Sequence, residues 1–512
     1  MTSLDDGATF DYLVCGAGPA GSVVAGRLSA DPDVRVLLVE SGGTDDVPSV
    51  LDPDQWPLNL MTDRHWDFFA EPNPHLNDRR LGYAMARVLG GGGSVNAGVW
   101  ARGHRTDWDG YAEVTGDPAW GYEQVLERYR RIEDWHGTPD PARRGTGGPM
   151  YIQPAQDVHP LFTAALDGAE STGIPRFGSA NGELMEHVTG CAILDEFNRD
   201  GVRQSPFRAY LGDHADRPNL TVLTGTTVSR VLVSGGRATG VEIIRDGKAL
   251  QVFASGEVVL SLGAINTPAV LQRSGIGGEE ELRGFGIPVV QHLPGVGGNL
   301  NDHIRFSCVW EAPDDVSLPL SSRSKSVSFW GDESRPGGPE FVLYTIPGSA
   351  VSEEIAAQYP PPEQAITLMP ALRPRSTGRV RLSGVDPFAA PRIDTGFLSD
   401  PADVRSALSA IERTREIGNS AALRPFAARE VAPRLGIDLE DFLRNAVETY
   451  WHQCGTARMG NDDQAVVDSS LRVRGIDRLR VADASVLPKV TVANTMAPSV
   501  LVGERAAELL TR

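Results

Sequence analysis

Three glycines spaced as Gly16-x-Gly18-x-x-Gly21 stand between a short apolar run, Tyr12 to Cys15, and alanines and valines at helical spacing. Between a strand and a helix, this spacing suits the pyrophosphate of a dinucleotide. The first glycine allows a tight turn and the second lets phosphate approach the backbone. The third lets the helix pack on the strand, with the helix N-terminus facing the phosphate charge. Glu40 ends the next apolar run, Val34 to Val39. A carboxylate there accepts hydrogen bonds from the adenosine ribose hydroxyls and repels a 2′-phosphate, so NADP is disfavoured. The turn by itself leaves FAD and NAD both open. Other chemistries lack their residues: there is no G-x-S-x-G elbow, no H-E-x-x-H, and no metal-ligand spacing among Cys15, Cys191, Cys308 and Cys454.

The elements that must position this turn are legible in outline. Tyr12–Cys15, the helix after Gly21 and Val34–Val39 make a strand–helix–strand unit of βαβ length. Residues 51–80 read as an irregular excursion, 89–98 as a second glycine-dense loop, and 120–135 as a helix. Residues 219–262 alternate as strands with tight turns, and 311–340 are polar and rich in Pro and Gly, which predicts a surface loop. Helices are expected over 403–417 and 438–448, with a last one entered at Pro498. The length of 512 residues predicts two domains. The balance of 48 basic to 67 acidic residues, net −19, argues against nucleic-acid or anionic-membrane partners. Apolar runs of strand length predict no membrane span, and sparse cysteines with no signal-like N-terminus point to the cytoplasm. Lysine occurs only at 248, 325 and 489, which reads as the codon bias of a GC-rich bacterial genome. Oligomeric state is not legible.

Beyond the first turn, six ordered blocks resemble the glucose–methanol–choline (GMC) oxidoreductase family over nearly the whole chain. They are the N-terminal unit; LGGGGSVNAGVWARGHRTDWDGYA from Leu89; LSLGAINTPAVLQRSGIG (260–277); LPGVGGNLNDH (293–303); YWHQCGTARMG (450–460) with VVDSSLRVRGIDRLRVADASVLP (466–488); and VANTMAPSVLVGERAA (492–507). The resemblance implies an α/β protein, α+β overall. A Rossmann-type FAD-binding domain would be assembled from 1–158, 216–303 and 446–512. A substrate domain with an antiparallel sheet and helices would use 159–215 and 304–445. The cofactor implied is FAD, and the activity is oxidation of an alcohol to a carbonyl by hydride transfer to flavin N5. Oxygen or a redox carrier would then take the electrons.

Carried over position by position, the resemblance makes His452 the catalytic base and lets Asn494 hold the substrate oxygen. A neutral imidazole suits proton removal near pH 7, and an amide can donate to a forming alkoxide without changing charge. The FAD contacts implied are Gly16, Gly18, Pro19, Ala20, Gly21, Glu40 and Ser41 at the first turn. Gly91, Gly92, Ser94, Val95, Asn96 and Ala97 follow beside the flavin ring, and Val228 at the adenine. Asp483 and Ala484 lie near the pyrophosphate, with Asn494 and Thr495 at the last block. Members that tether FAD covalently through this loop carry a histidine where this chain has Val95, so the flavin is expected to be non-covalent. Trp66, Trp330, Tyr344 and Trp451 are the aromatic candidates for the substrate pocket; Phe68, Trp310, Phe329 and Phe341 are further ones. Cys454, close to His452, reads as packing. His303 reads as structural, and His65 as one of the surface or core histidines. The substrate stays open among primary or aryl alcohols, sugars or glycosides, and hydroxylated natural products. The same fold would also serve a hydroxynitrile-lyase-like enzyme, a light-driven fatty-acid decarboxylase or a flavin-binding electron carrier.

Overall fold

A computed structural model describes residues 4–332 and 337–511 of the chain. Thr9–Cys15 (β1) and Val36–Val39 (β2) pair in parallel with Cys15 opposite Val39, and every residue of β2 is buried. Between them Pro19–Leu28 (α1) starts with Pro19 in its first turn, a residue preset for that position, and carries Arg27 in its last turn. Gly16 has φ +102°. A Cβ on Gly21 would lie 1.9 Å from the Gly16 carbonyl oxygen, so the turn closes onto the helix only because Gly21 has no side chain.

The first sheet places strands in the order 220–223, 36–39, 9–15, 248–260, 237–245, 226–234, with Leu479–Val481 also paired in parallel to 248–260. Its parallel members end together: Cys15, Val39, Leu223 and Leu260 lie in one register. A large core of Val, Leu and Ile from these strands packs against α1 and the C-terminal helix Met496–Leu510. The short helix Pro206–Leu211 joins this core through Phe207, Tyr210 and Leu211.

The second sheet is antiparallel, in the order 429–432, 308–311, 365–372, 341–347, 326–330, 190–193; Ile304–Arg305 pairs with both 365–372 and Glu448–Thr449. Side chains alternate between its faces. Phe341 and Leu343 belong to the core shared with the helices Pro160–Ser171 and Pro401–Gly418. Val342 and Tyr344 point to the other side, a smaller cluster with Met369 and Ala371.

Several elements differ from the sequence expectation. The second strand begins at Val36. The excursion at 51–80 contains a turn of 3₁₀ helix at Pro53–Asn59 and the strand His65–Phe69, which forms a hairpin with Gly82–Ala86. The glycine-dense loop holds one helical turn, Gly92–Val95. Within the expected loop 311–340, Ser326–Trp330 is a largely buried strand paired on both sides. Its three β-suited residues, Val327, Phe329 and Trp330, are too few to stand out from polar flanks; residues 333–336 of that stretch lie outside the described residues. The final helix starts at Met496, so Pro498 sits within its first turn. The other helices run over Tyr122–Ile132, 401–418 and 439–446, close to expectation. No helix of the described residues is long and apolar enough to cross a membrane.

Gly21→Ala should lower stability by more than the about 1–3 kcal/mol typical of overpacking, because its methyl meets a backbone carbonyl that cannot move away. Thermal or urea unfolding measures this, and a variant as stable as the parent would show that the turn is not closed against the helix.

Candidate active site

The carboxyl ends of the parallel strands open onto a cavity of about 450 Å³, closed on its far side by the second sheet. Open parallel sheets bind ligands at this edge. Gly16, Glu40, Ser261 and Asp483 follow the strand ends and all line the cavity. Glu40 accepts N–H bonds from Ala17 at 3.0 Å and Gly42 at 2.8 Å, bracing the first turn; burial raises its pKa while these donors oppose the rise. Asp483 accepts from Gly263 N–H at 2.9 Å, the Thr267 hydroxyl at 2.6 Å and Ser485 N–H at 2.8 Å.

Most of the residues expected at a dinucleotide line this cavity: Gly16, Gly18, Pro19, Ala20, Glu40, Ser41, Gly91, Gly92, Val95, Asn96, Ala97, Val228, Asp483, Ala484, Asn494 and Thr495. Gly21 and Ser94 stand behind it. Gly21 closes the turn, and Ser94 donates to the Leu89 carbonyl at 2.7 Å. Asn96 Oδ1 accepts from Gly98 N–H at 2.9 Å and Arg203 Nη1 at 2.8 Å, which locks the loop.

The glycines test whether a flavin dinucleotide fits. A Cβ on Gly18 would meet no protein atom closer than 4.0 Å, and one on Gly92 none within 4 Å. These positions are bare toward the cavity without any steric need inside the protein, which suits backbone contact with a ligand. Helix α1 and the helix Met496–Leu510 both begin at the cavity, and neither has a side-chain cap. Each therefore presents unpaired N–H groups and partial positive charge, suited to a pyrophosphate and to an anionic flavin edge. Glu40 suits a ribose. The residues fit FAD, and Val95 offers no atom for a covalent bond to it.

His452 lies 42 positions before Asn494 in the chain, and its Nε2 lies 3.0 Å from Asn494 Nδ2. The Tyr344 hydroxyl donates to Asn494 Oδ1 at 2.6 Å, and the amide nitrogen faces the histidine. On the other side, His452 Nδ1 and His303 Nδ1 are 3.0 Å apart. The tautomers follow from this chain. Asn494 N–H donates to the lone pair of His452 Nε2, and His452 Nδ1–H donates to His303 Nδ1. Burial pushes the pKa of His452 down to about 3, and burial together with the neighbouring His452 pushes that of His303 well below the usual value. Both rings are neutral.

The backbone of His452 is held as firmly as its ring. Trp451 has φ +58°, a left-handed conformation that costs a bulky residue about 1–3 kcal/mol. The Asp302 carboxylate accepts His452 N–H at 2.9 Å and the Thr449 hydroxyl. Thr449 Oγ1 accepts Trp451 N–H at 3.0 Å. Cys454 exchanges backbone bonds with Asn301 at 2.9 and 3.0 Å, is fully buried, and burial holds its thiol protonated.

Trp66, Tyr344 and Trp451 line the cavity. Trp330 does not; it stacks on Phe341 with ring centroids 5.3 Å apart. Phe68, Trp310 and Phe341 belong to the core behind the second sheet, and Phe329 to the cluster on its other face. Among the residues that escaped the sequence reading are Trp56, His65, Arg273, Arg305 and Tyr450 of the cavity lining and the His303 contact. His303 had a signal in its place in the NLNDH block, and Tyr450 in its place beside His452. Among the described residues no cluster of His, Cys, Asp or Glu is arranged to hold a metal.

Comparison with known proteins identifies the family. Residues 10–305 match the N-terminal and residues 374–503 the C-terminal family model of GMC oxidoreductase. The chain is 34% identical to an oxygen-dependent choline dehydrogenase of Klebsiella pneumoniae, covering 98% of this chain and 96% of that one. It is 32% identical to an alcohol dehydrogenase [acceptor] of Pseudomonas putida, with the same coverage. The crystal structure of pyridoxine 4-oxidase from Mesorbium loti superposes with a TM-score of 0.92 at 32% identity, covering 98% of each chain. A chain that matches both family models and these relatives end to end belongs to the GMC oxidoreductases.

Proposed function

We propose that the protein oxidises an alcohol to a carbonyl compound with FAD, with His452 as the base and Asn494 holding the substrate oxygen. The observation that carries this reading is the directed chain Tyr344–Asn494–His452–His303, which keeps His452 Nε2 unprotonated beside the Asn494 amide at the cavity; a substrate hydroxyl would replace the Asn494 N–H at Nε2 while the amide donates to the substrate oxygen. FAD, when bound, supplies the hydride acceptor. The protein supplies the rest. His452 Nε2 takes the hydroxyl proton, and Asn494 Nδ2 donates to the oxygen as it becomes an alkoxide. His303 accepts from His452 Nδ1, which raises basicity at Nε2 and fixes the ring. The uncapped N-terminus of Met496–Leu510 favours negative charge beside it. Aromatic walls from Trp66, Tyr344 and Trp451 exclude water and suit an alcohol with a flat, apolar body.

His452→Ala should retain FAD while anaerobic flavin reduction by an alcohol slows by more than about a hundredfold. Stopped-flow bleaching of the bound flavin measures this, and a near-normal rate would rule out His452 as the base. With valine at position 95, FAD should be bound non-covalently. Acid precipitation should leave the yellow flavin in the supernatant; flavin retained in the washed pellet would contradict that binding mode.

A further inference from the structure

The cavity's charge is unevenly distributed. Among the described residues, the carboxylates that line it are Glu40 and Asp483, both at the edge of the first sheet. The lining arginines are Arg273, which donates to the Ser229 carbonyl on the side of the first sheet, and Arg305 and Arg323 on the side of the second. Arg323 is neutralised twice, by Glu196 and by Asp54 at 3.2 Å. Arg305 has one carboxylate partner, Glu448 at 2.9 Å, which is itself a quarter exposed. Its Nε donates to the Thr449 carbonyl at 2.9 Å and its Nη1 faces Met369 Sδ at 3.3 Å. A guanidinium has five N–H donors, so two remain uncommitted among the described residues.

Arg305 also stands close to the reacting groups. It follows two residues after His303, whose ring touches His452, so the two side chains emerge on one face roughly 7 Å apart along the chain. Its guanidinium lies over the Trp451 ring, 5.3 Å from the centroid. That aromatic face, of the kind that holds a quaternary ammonium, is already occupied by a cation. A positively charged substrate meets repulsion here, whereas a carboxylate meets a guanidinium with donors to spare.

We propose that Arg305 binds an anionic group, a carboxylate, at the end of the substrate remote from its reacting CH–OH; this rests on the reading of His452 and Asn494 as the reacting site. The preferred substrates are hydroxymethyl-aryl or similar alcohols that carry a carboxylate. Cationic alcohols are disfavoured.

The test compares kcat/KM for 4-(hydroxymethyl)benzoate, 4-methylbenzyl alcohol and choline. The acid should exceed its neutral analogue by about tenfold or more, with choline poorest. Arg305→Met should bring the acid-to-neutral ratio toward one, mainly through KM. Glu448→Gln should raise that ratio by freeing the guanidinium. If the ion pair were only structural, both variants would impair the two aryl alcohols alike, and the ratio would stay put. A wild-type preference for the neutral alcohol or for choline would overturn the anion site while leaving alcohol oxidation standing. Benzoate and benzamide titrated against the oxidised holoenzyme, read by the flavin spectrum, need no turnover. Benzoate binding tighter in the wild type but not in Arg305→Met would support the site even if none of the alcohols were oxidised, in which case the proposed reaction would fall. Equal affinity for the two would overturn it.

Discussion

The Asp302 carboxylate is 1% exposed, and it accepts hydrogen bonds from the His452 backbone and the Thr449 side chain. Burial drives its pKa up to about 7, and these donors oppose the rise. An acceptor removed from water in this way is costly unless its partners are in place, so it strongly selects the arrangement that supplies them. The bond joins segments 150 positions apart. It also holds the strand Ile304–Arg305 against Glu448–Thr449 and stabilises the left-handed turn at Trp451. The placement of His452, His303 and Arg305 all follows from that one junction.

Around it the fold separates two tasks. The first sheet ends its parallel strands in one register and leaves two helix starts uncapped, which makes a fixed cradle for a charged dinucleotide. The second sheet is covered by helices on one face, while its other face, bearing Tyr344 and Met369, walls the cavity. The carboxylates of the cavity belong to the cradle, which also bears Arg273, while Arg305 stands on the wall. In a chain of net charge −19 this local arginine is a feature of the site, since the overall balance runs the other way.

Buried neutral histidines give the site its polarity without net charge. His452 and His303 share a hydrogen bond that only one proton can fill, and Asn494, oriented by Tyr344, decides which nitrogen of His452 keeps its lone pair. Exposed imidazoles would exchange tautomers through water; enclosed ones take the tautomer their neighbours dictate.

What the sequence alone determined is local. The turn Gly16–Gly21, the acid Glu40 and the strand–helix–strand unit around them depend on contacts within a few tens of residues, and the unit forms within a few residues of expectation. The hidden strand Ser326–Trp330 shows the limit, because its stability comes from partners at 190–193 and 341–347 and not from its own pattern. The polar chain Tyr344–Asn494–His452–His303 lies beyond that limit too. Its members come from four distant segments, and no periodicity records that a tyrosine on the second sheet orients an amide at the start of the last helix. Trp330 and Tyr344 look alike in composition and differ only in where their strands send them, one onto Phe341 and the other into the cavity. Which aromatic, which histidine and which arginine face the substrate was decided by tertiary packing, because direction in space depends on strand register and long-range contact, which no single segment encodes.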